Sequence, residues 1–559
     1  MRALVTFCLR HRAIVLALLA VFAVAGLASY RRLPVEAYPD VTNVQVQIIT
    51  QFPGHAAEEV ERLVTIAVEN EMNGIPRRAS MRSISIFGLS VVTIVFEDDA
   101  DRVYVRQQAF ERLQQVDLPT GASASLSPDT TPVGEIYRYT IEAPRGFSPT
   151  ELKALEDWVV ERKLRTVPGV VDVSGFGGPT KQYQVLVDPL RLKSYGVTLR
   201  QVFDALSSGN RNAGGSYIEH GPEMYIVRGL GLVRDERDIG DIAVLVRSGT
   251  PIRIRDLARV TVGAGVRLGL VGKNDEDDVV QGIVLLRKGE NALEVLANVR
   301  RKVEEINRHD LPDGVKIVAH YDRTDLIHRT LHTVLKNMAE GIFLVLVVLV
   351  AFLGFSNLGS AAIVALVIPL SLLGAFILLD ARGIPANLIS MGAVDFGIIV
   401  DPAVFVIENT LRLLEERKGR VRSLFSLIAQ ATAEVGTPQL FSTAIIVTAF
   451  VPLFTLERVE GRIFRPVALT LTFTLLAGTA LALTLIPTLA SFVLRGRKAG
   501  GESALVHFLL RWYRPILAWA LGRRRTVIGS ALAVLVVTAA ISPLLGSEFL
   551  PKLDEGALW

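Results

Sequence analysis

The chain has 559 residues, half of them hydrophobic, and a mean hydropathy of +0.39. That is too apolar for a soluble enzyme of this size, yet 21% charged residues are too many for a chain confined to a bilayer, so membrane spans joined to a sizeable soluble domain are implied. A net charge of +4 gives no basis for a nucleic-acid partner, the single cysteine, Cys8, excludes an internal disulfide and a Cys-based metal site, and no Walker-type, HExxH or GxSxG motif supports ATP hydrolysis or the hydrolases those motifs mark.

The first apolar run, Ile14 to Ser29, follows Arg2, Arg10 and Arg12. No small-residue cleavage site precedes a clean mature start, so it reads as a retained helix with its N-terminus in the cytoplasm. Residues 30 to about 335 are soluble in character. Val44–Thr50 alternates as a strand, Ala56–Met72 reads as a helix, Ser83–Phe87 and Ser90–Phe96 as a strand pair, and Asp101–Val116 as a second helix. A second unit begins with a strand at Ile136–Glu142 and a helix at Pro149–Val167. The spacing then predicts a hairpin of Val170–Ser174 with Gln182–Val187 across Gly177-Gly178. Its remaining strand, helix and strand come at Val279–Leu286, Ala292–Arg308 and Val315–Tyr321, which makes 188–275 an insertion. Two ferredoxin-like βαββαβ-type units are the expected α+β fold of the outer part.

Five apolar runs follow, at 337–355, 359–379, 386–411, 437–456 and 466–492, then an amphipathic stretch Ala504–Leu521 and a seventh span from Thr526 to about Leu545. Each run is near the ~20 residues that cross a bilayer. The loop after the fourth span carries Arg412, Arg417, Lys418, Arg420 and Arg422, and the one after the sixth carries Arg495, Arg497, Lys498, Arg511, Arg514 and Arg523–Arg525. The positive-inside rule puts both on the side of Arg2, Arg10 and Arg12, outweighing Arg31 and Arg32, so the soluble domain lies outside. There is an internal echo. The first span exits through Leu33-Pro34 to Glu36, and the seventh through Leu550-Pro551 to Asp554-Glu555. The expectation is one half of a two-repeat transporter, truncated or encoded as a split subunit.

The fourth span holds three carboxylates, Asp395, Asp401 and Glu408, in an otherwise apolar run. Each would cost about 2.5–3.5 kcal/mol at mid-membrane if charged, so such acids are functional or paired. At about 100° per residue Asp401 and Glu408 share a face two turns apart, while Asp395 is rotated roughly 120° away. No Lys or Arg lies inside the second to sixth spans. Acids in apolar surroundings suit reversible proton loading. Glu408 also stands four residues before Arg412, the spacing of an interfacial ion pair. Pro402 frees the carbonyl of Ile398, which either binds water or marks a packing kink.

Asp325, His328 and His332 are spaced along one helix face at the entrance to the second span, a weak candidate for divalent metal against the plainer reading of a polar face. Glu135, at the joint of the two outer units, is a candidate for lining a substrate cleft or a surface acid.

Asp395-Phe-Gly-Ile-Ile-Val-Asp401, with Ala403 and Glu408-Asn409, closely resembles the fourth-helix signature of heavy-metal efflux pumps of the RND superfamily, the cobalt–zinc–cadmium/nickel type. The likeness extends through Pro168-Gly-Val-Val-Asp172, Phe176-Gly-Gly178, Tyr217-Ile-Glu-His220, Tyr321-Asp-Arg-Thr-Asp325 and Glu548–Glu555. It implies a pump of the bacterial inner membrane, its large domain periplasmic, that exports divalent cations as substrate with no resident cofactor. It further implies a homotrimer, a periplasmic adaptor (membrane fusion) protein and an outer-membrane channel as partners, and Asp395, Asp401 and Glu408 as proton-relay acids. In that frame 1–29 is the first span and 30–134 the first porter subdomain. The second subdomain is 135–187 with 276–335, and 188–275 is a docking hairpin insertion. Residues 336–492 hold spans two to six, 493–525 a basic amphipathic segment, 526–546 the seventh span, and 547–559 the start of a second outer repeat. Pro402 stands where the family usually has Gly, and Ile399 and Val406 stand where its copper/silver branch tends to carry Met, which points away from soft monovalent metals. Export of organic compounds and a non-transporting fragment are the alternatives.

Overall fold

The computed structural model describes residues 1–36, 39–247, 249–267, 269–354, 357–392, 396–416, 423–494, 504–544 and 546. They divide into two compact units. One comprises Met1–Gly134, Leu286–Leu296 and Asp322–Trp559, the other Glu135–Leu285 and Ala297–Tyr321.

In the first unit, β1 (Val35–Glu36) follows the first membrane helix, and β2 (Gln45–Gln51), β3 (Arg78–Ile86), β4 (Leu89–Phe96) and β5 (Ser123–Leu126) form a sheet in the order β3-β4-β2-β5. Alternation along β2 and β4 buries every second residue, as one covered face requires. Val46, Ile48, Val92, Ile94 and Phe96 from that face pack with Val68, Met72, Val105, Ala109 and Leu113 from the helices over 57–72 and 102–113. Asp101 caps the second helix by accepting the Tyr104 N–H at 3.0 Å. The first carries a π-helical turn at Glu61–Thr65, whose Thr65 hydroxyl meets those of Ser85 and Ser90 at 2.8 and 2.7 Å.

The second unit repeats the plan. Its sheet runs β15-β6-β14-β7, from β6 (Glu135–Glu142), β7 (Val170–Phe176), β14 (Val280–Leu286) and β15 (Lys316–Asp322). Position for position this is the order of the first sheet. The predicted hairpin after Gly177-Gly178 does not form. β8 (Lys181–Val187) pairs instead with β13 (Ala258–Ala264), antiparallel over seven residues, while β7 lies beside β14. The glycines explain the exit. Both have φ near +70°, and a Cβ on Gly177 would lie 2.1 Å from the Val279 carbonyl oxygen, so only a residue without one lets the chain pass there.

Between β8 and β13 the chain builds a small fold of its own, with a core of Val197, Val202, Ile252, Ile254, Leu257 and Ala258. From it projects the hairpin β9 (Ala213–His220) and β10 (Glu223–Gly229), every residue of which is exposed. β11 (Ala243–Arg247) and β12 (Thr250–Arg253) complete the module.

Among the described residues seven helices are long and apolar enough to cross a membrane, matching the seven spans expected. They are Arg12–Arg32, Arg323–Phe352, Leu358–Ala381, Ile389–Glu416, Leu424–Phe454, Arg458–Val493 and Arg524–Leu544. The third, fourth and sixth are the most enclosed, and the seventh buries none of its residues. Between the sixth and seventh lies the helix Ala504–Gly522, with Trp512, Tyr513 and Trp519 exposed. Helix crossings rely on small residues. A Cβ on Gly26 would meet that of Leu373 at 2.7 Å, and one on Gly478 would meet the Ile399 carbonyl oxygen at 3.3 Å.

Candidate functional site

The fourth span starts from a short main-chain ladder. β1 pairs in parallel with β16 (Ala386–Asn387), Val35 opposite Ala386 and Glu36 opposite Asn387, and the Ala386 N–H donates to the Pro34 carbonyl at 3.0 Å. Asn387 and Ser390 then cap the first turn. The Ser390 N–H donates to Asn387 Oδ1 at 2.7 Å, and the Asn387 N–H to Ser390 Oγ at 3.2 Å.

Beyond residues 393–395 the helix runs Phe396–Glu416 without a break at Pro402. Ile399, Val400, Ala403, Val406, Ile407 and Leu413 are buried. Asp401, Phe405 and Glu408 are exposed on the opposite side. The two acids that helical spacing puts on one face thus both lie on the exposed side of the helix. Two turns of helix place Asp401 and Glu408 about 10 Å apart along the axis.

The alternative pairing of Glu408 with Arg412 is not formed among the described residues. Arg412 turns instead to Asn409, donating to its Oδ1 at 2.8 Å from Nη2, and approaches Glu434 of the fifth span at 3.8 Å and Glu416 at 3.6 Å. Asn409 itself is buried and donates to the Ala431 carbonyl at 2.8 Å and to Glu434 at 3.1 Å. The polar groups at this end thus lock the fourth span to the fifth and leave Glu408 outside the lock.

Asp395 falls outside the described residues. Glu135 opens β6 and is ion-paired to Arg138, whose guanidinium lies 5.8 Å from the centre of the Tyr321 ring. Asp325, His328 and His332 are exposed on the helix that begins at Arg323. Among the described residues no three His, Cys, Asp or Glu side chains come together to hold a metal ion. The helical spacing that puts these three on one face also spreads them over about 10 Å of axis, too far for one ion.

Sequence reasoning missed a charged junction around β1 and the start of the second span. Asp40 pairs with Lys288 at 3.2 Å and accepts the Thr42 N–H at 3.0 Å. The buried Arg323 donates to the Val133 carbonyl. Glu36 lies in their field. Burial, with the nearby Asp40 carboxylate, pushes its carboxyl up to about 7, against the pull of Arg323 and Lys288. A second group missed is Glu156, fully buried in the second unit and hydrogen-bonded by the Tyr139 hydroxyl at 2.8 Å. Burial pushes it up to about 7 although Tyr139 and Lys153 favour the anion. Its place in a predicted helix gave no signal that the helix buries that side.

A model of the AcrB/AcrD/AcrF family matches residues 4–559. The chain belongs to that family. Within the AcrB/AcrD/AcrF family it is 42% identical to the cation efflux system protein CzcA of Alcaligenes sp. (strain CT14) over 99% of its own length and 53% of that protein. It is 40% identical to protein HelA of Legionella pneumophila, covering 99% of this chain and 54% of that one. It is 38% identical to the cation efflux system protein CusA of Escherichia coli (strain K12), covering 94% and 51%. A crystal structure of a heavy metal efflux pump superposes with a TM-score of 0.87 at 42% identity, over 99% of this chain and 53% of that one. The chain thus spans about half the length of the curated relatives it matches, and the heavy-metal likeness read from its fourth-span motif holds along nearly all of it.

Proposed function

We propose that this chain supplies the first half of the machinery of a proton-driven exporter of divalent heavy-metal cations. The observation that carries the reading is the pair of acids on the fourth span. Asp401 and Glu408 stand exposed on one side of an otherwise apolar helix, where a carboxylate is costly unless it has a function. Asp395, Asp401 and Glu408 act as the proton relay. A proton moving inward through ~100 mV supplies about 2.3 kcal/mol, and a divalent cation carried outward across the same potential costs about twice that, so export from the cytoplasm draws on two or more protons per cation. The resemblance to CzcA and CusA supports a metal cargo over an organic one.

The N-terminus lies in the cytoplasm and the two sheet units in the periplasm of a bacterial inner-membrane protein. The units are of ferredoxin-like type, as the strand order β5-β2-β4-β3 and its repeat support. The exposed β9–β10 hairpin docks on a neighbouring protomer of a homotrimer, which works with a periplasmic adaptor and an outer-membrane channel. Glu135 lines the route of the cation.

Asp401→Asn tests the relay in the complete protein as its own cell makes it. The expected result is loss of metal tolerance and of metal-dependent proton flux in vesicles, with membrane assembly unchanged. Full tolerance with Asn at 401 would overturn the assignment.

A further inference from the structure

The N-terminal helix Arg2–Arg10 packs through Val5 and Leu9 against Ala429 of the fifth span and Ile486, Ala490 and Leu494 at the end of the sixth. Its polar stripe, Arg2, Thr6 and Arg10 at helical spacing, borders a cavity of about 480 Å³. Arg12 borders the same cavity, together with Ser423 and Ser426 at the start of the fifth span.

Three guanidiniums thus surround one space, and no carboxylate is among the described residues that line it. Arg12 is held in place. Its guanidinium carbon lies 5.0 Å from the centre of the Phe425 ring and 4.5 Å from that of Phe492, and Nη1 is 3.5 Å from Ser491 Oγ. The fifth span begins here with no acidic residue in its first turn and no side-chain cap from Ser423. Its 26-residue helix adds N–H groups and the positive end of a dipole to the positive charge of the arginines. Like charges gathered this way repel one another unless an anion sits among them. The fitting anion is a phosphate, which takes paired donors from guanidinium forks and N–H groups from a helix start. Apolar walls from Leu9, Phe425 and Ala429 complete the cavity, as acyl chains would need.

We infer that this cavity binds the headgroup phosphate of an anionic phospholipid, which fastens the N-terminal helix to the start of the fifth span. Basic pockets between membrane helices are a recurring way to hold such lipids. The inference rests on the fifth and sixth helices being membrane spans, and it is independent of cargo and of proton coupling.

The test is native mass spectrometry of the complete protein, delipidated in detergent and titrated with phosphatidylglycerol or phosphatidylcholine. The unaltered protein should retain one tight phosphatidylglycerol. Arg2→Gln with Arg10→Gln should weaken that binding about tenfold or more, because each basic residue contributes substantially to anionic-lipid affinity. Arg523→Gln with Arg524→Gln and Arg525→Gln, at the other basic cluster, should leave it unchanged. Ser426→Glu is the second variant. A carboxylate there suits the first turn of the helix, so folding is preserved, and it competes for the same arginines. It should also abolish the tight lipid. Equal titrations for the unaltered protein and both cavity variants would overturn the inference. So would equal retention of phosphatidylcholine, or displacement of the lipid by excess inorganic phosphate, which would assign the cavity to a soluble anion.

Discussion

Asp98, in the loop after β4, caps the sixth membrane span from outside it. One carboxylate oxygen lies 2.6 Å from Nη2 of Arg462, and the other accepts the Arg458 N–H at 2.8 Å. Arg462 also donates to the carbonyls of Val41 and Thr42. A negative group at a helix start satisfies a backbone donor and meets the positive end of the dipole. The sixth span in turn packs on the fourth, where Gly478 approaches Ile399, two residues from Asp401. The fourth span is therefore connected through the sixth to the loop after β4. Asp98→Ala should speed amide exchange over residues 458–462 by about tenfold, the loss expected of a cap worth roughly 1–2 kcal/mol. Asp98→Asn keeps an acceptor and should fall between. Unchanged exchange in the Ala variant would mean that the contact holds nothing.

The close approach at Gly478 sets a second expectation. A Cβ at 3.3 Å from the Ile399 oxygen is tolerated only if the helices part by a few tenths of an ångström. Gly478→Ala should lower the melting temperature of the detergent-solubilised protein by a few degrees, and Gly478→Leu should prevent its accumulation, as overpacking costs about 1–3 kcal/mol. Normal accumulation of the Leu variant would rule out the contact.

Glu156 gives a pH dependence whose sign is fixed by its raised pKa. The folded protein holds this proton up to about pH 7 while the unfolded chain releases it near the ordinary carboxyl value. The stabilising effect of the neutral form is complete below the unfolded value and is lost as pH rises through about 7. Glu156→Gln keeps an acceptor for the Tyr139 hydroxyl and removes the charge. Hydrogen exchange over 149–176 should slow at pH 8, by an amount on the order of 1–3 kcal/mol, and change little at pH 5. Slower exchange at pH 5 alone would contradict it.

Gly177 supplies a test of the exit from the second sheet. Gly177→Ala places a methyl against the Val279 carbonyl in a left-handed conformation, so it should destabilise the end of β7 by about 1–3 kcal/mol, read as faster exchange at 170–176. Gly54, also at positive φ but in open space, serves as the control and should cost less on change to Ala.

Much of this architecture is written in local patterns. Seven apolar runs announce seven helices, and β2 and β4 alternate clearly enough to be read one by one. Asp401 and Glu408 stood out because charge is costly in an apolar run, and their shared face follows from helical geometry alone. The failures are long-range. β5, Ser-Ala-Ser-Leu, is a short polar edge strand whose only strong cue is its neighbour β2. β8 alternates as any strand does, and nothing local tells it to seek β13, more than seventy residues on, rather than β7. Asp98 and Arg462 are 364 residues apart, so each reads alone as a surface charge. Arg412 has a suitable acid four residues back, but Asn409 and the fifth span's Glu434 offer it better partners.

The two sheets share one strand order, and they differ at one connection. Between β3 and β4 the chain turns at Phe87-Gly88, while between β7 and β14, the equivalent pair, it runs out through β8 to β13 before returning. The added module is therefore grafted at a hairpin tip, where it breaks no ladder hydrogen bond of the sheet that bears it. Lengthening a loop costs only in proportion to the logarithm of its size. Selection can thus enlarge, trim or replace the projecting hairpin, while the sheet below folds by the same rules as its unadorned twin.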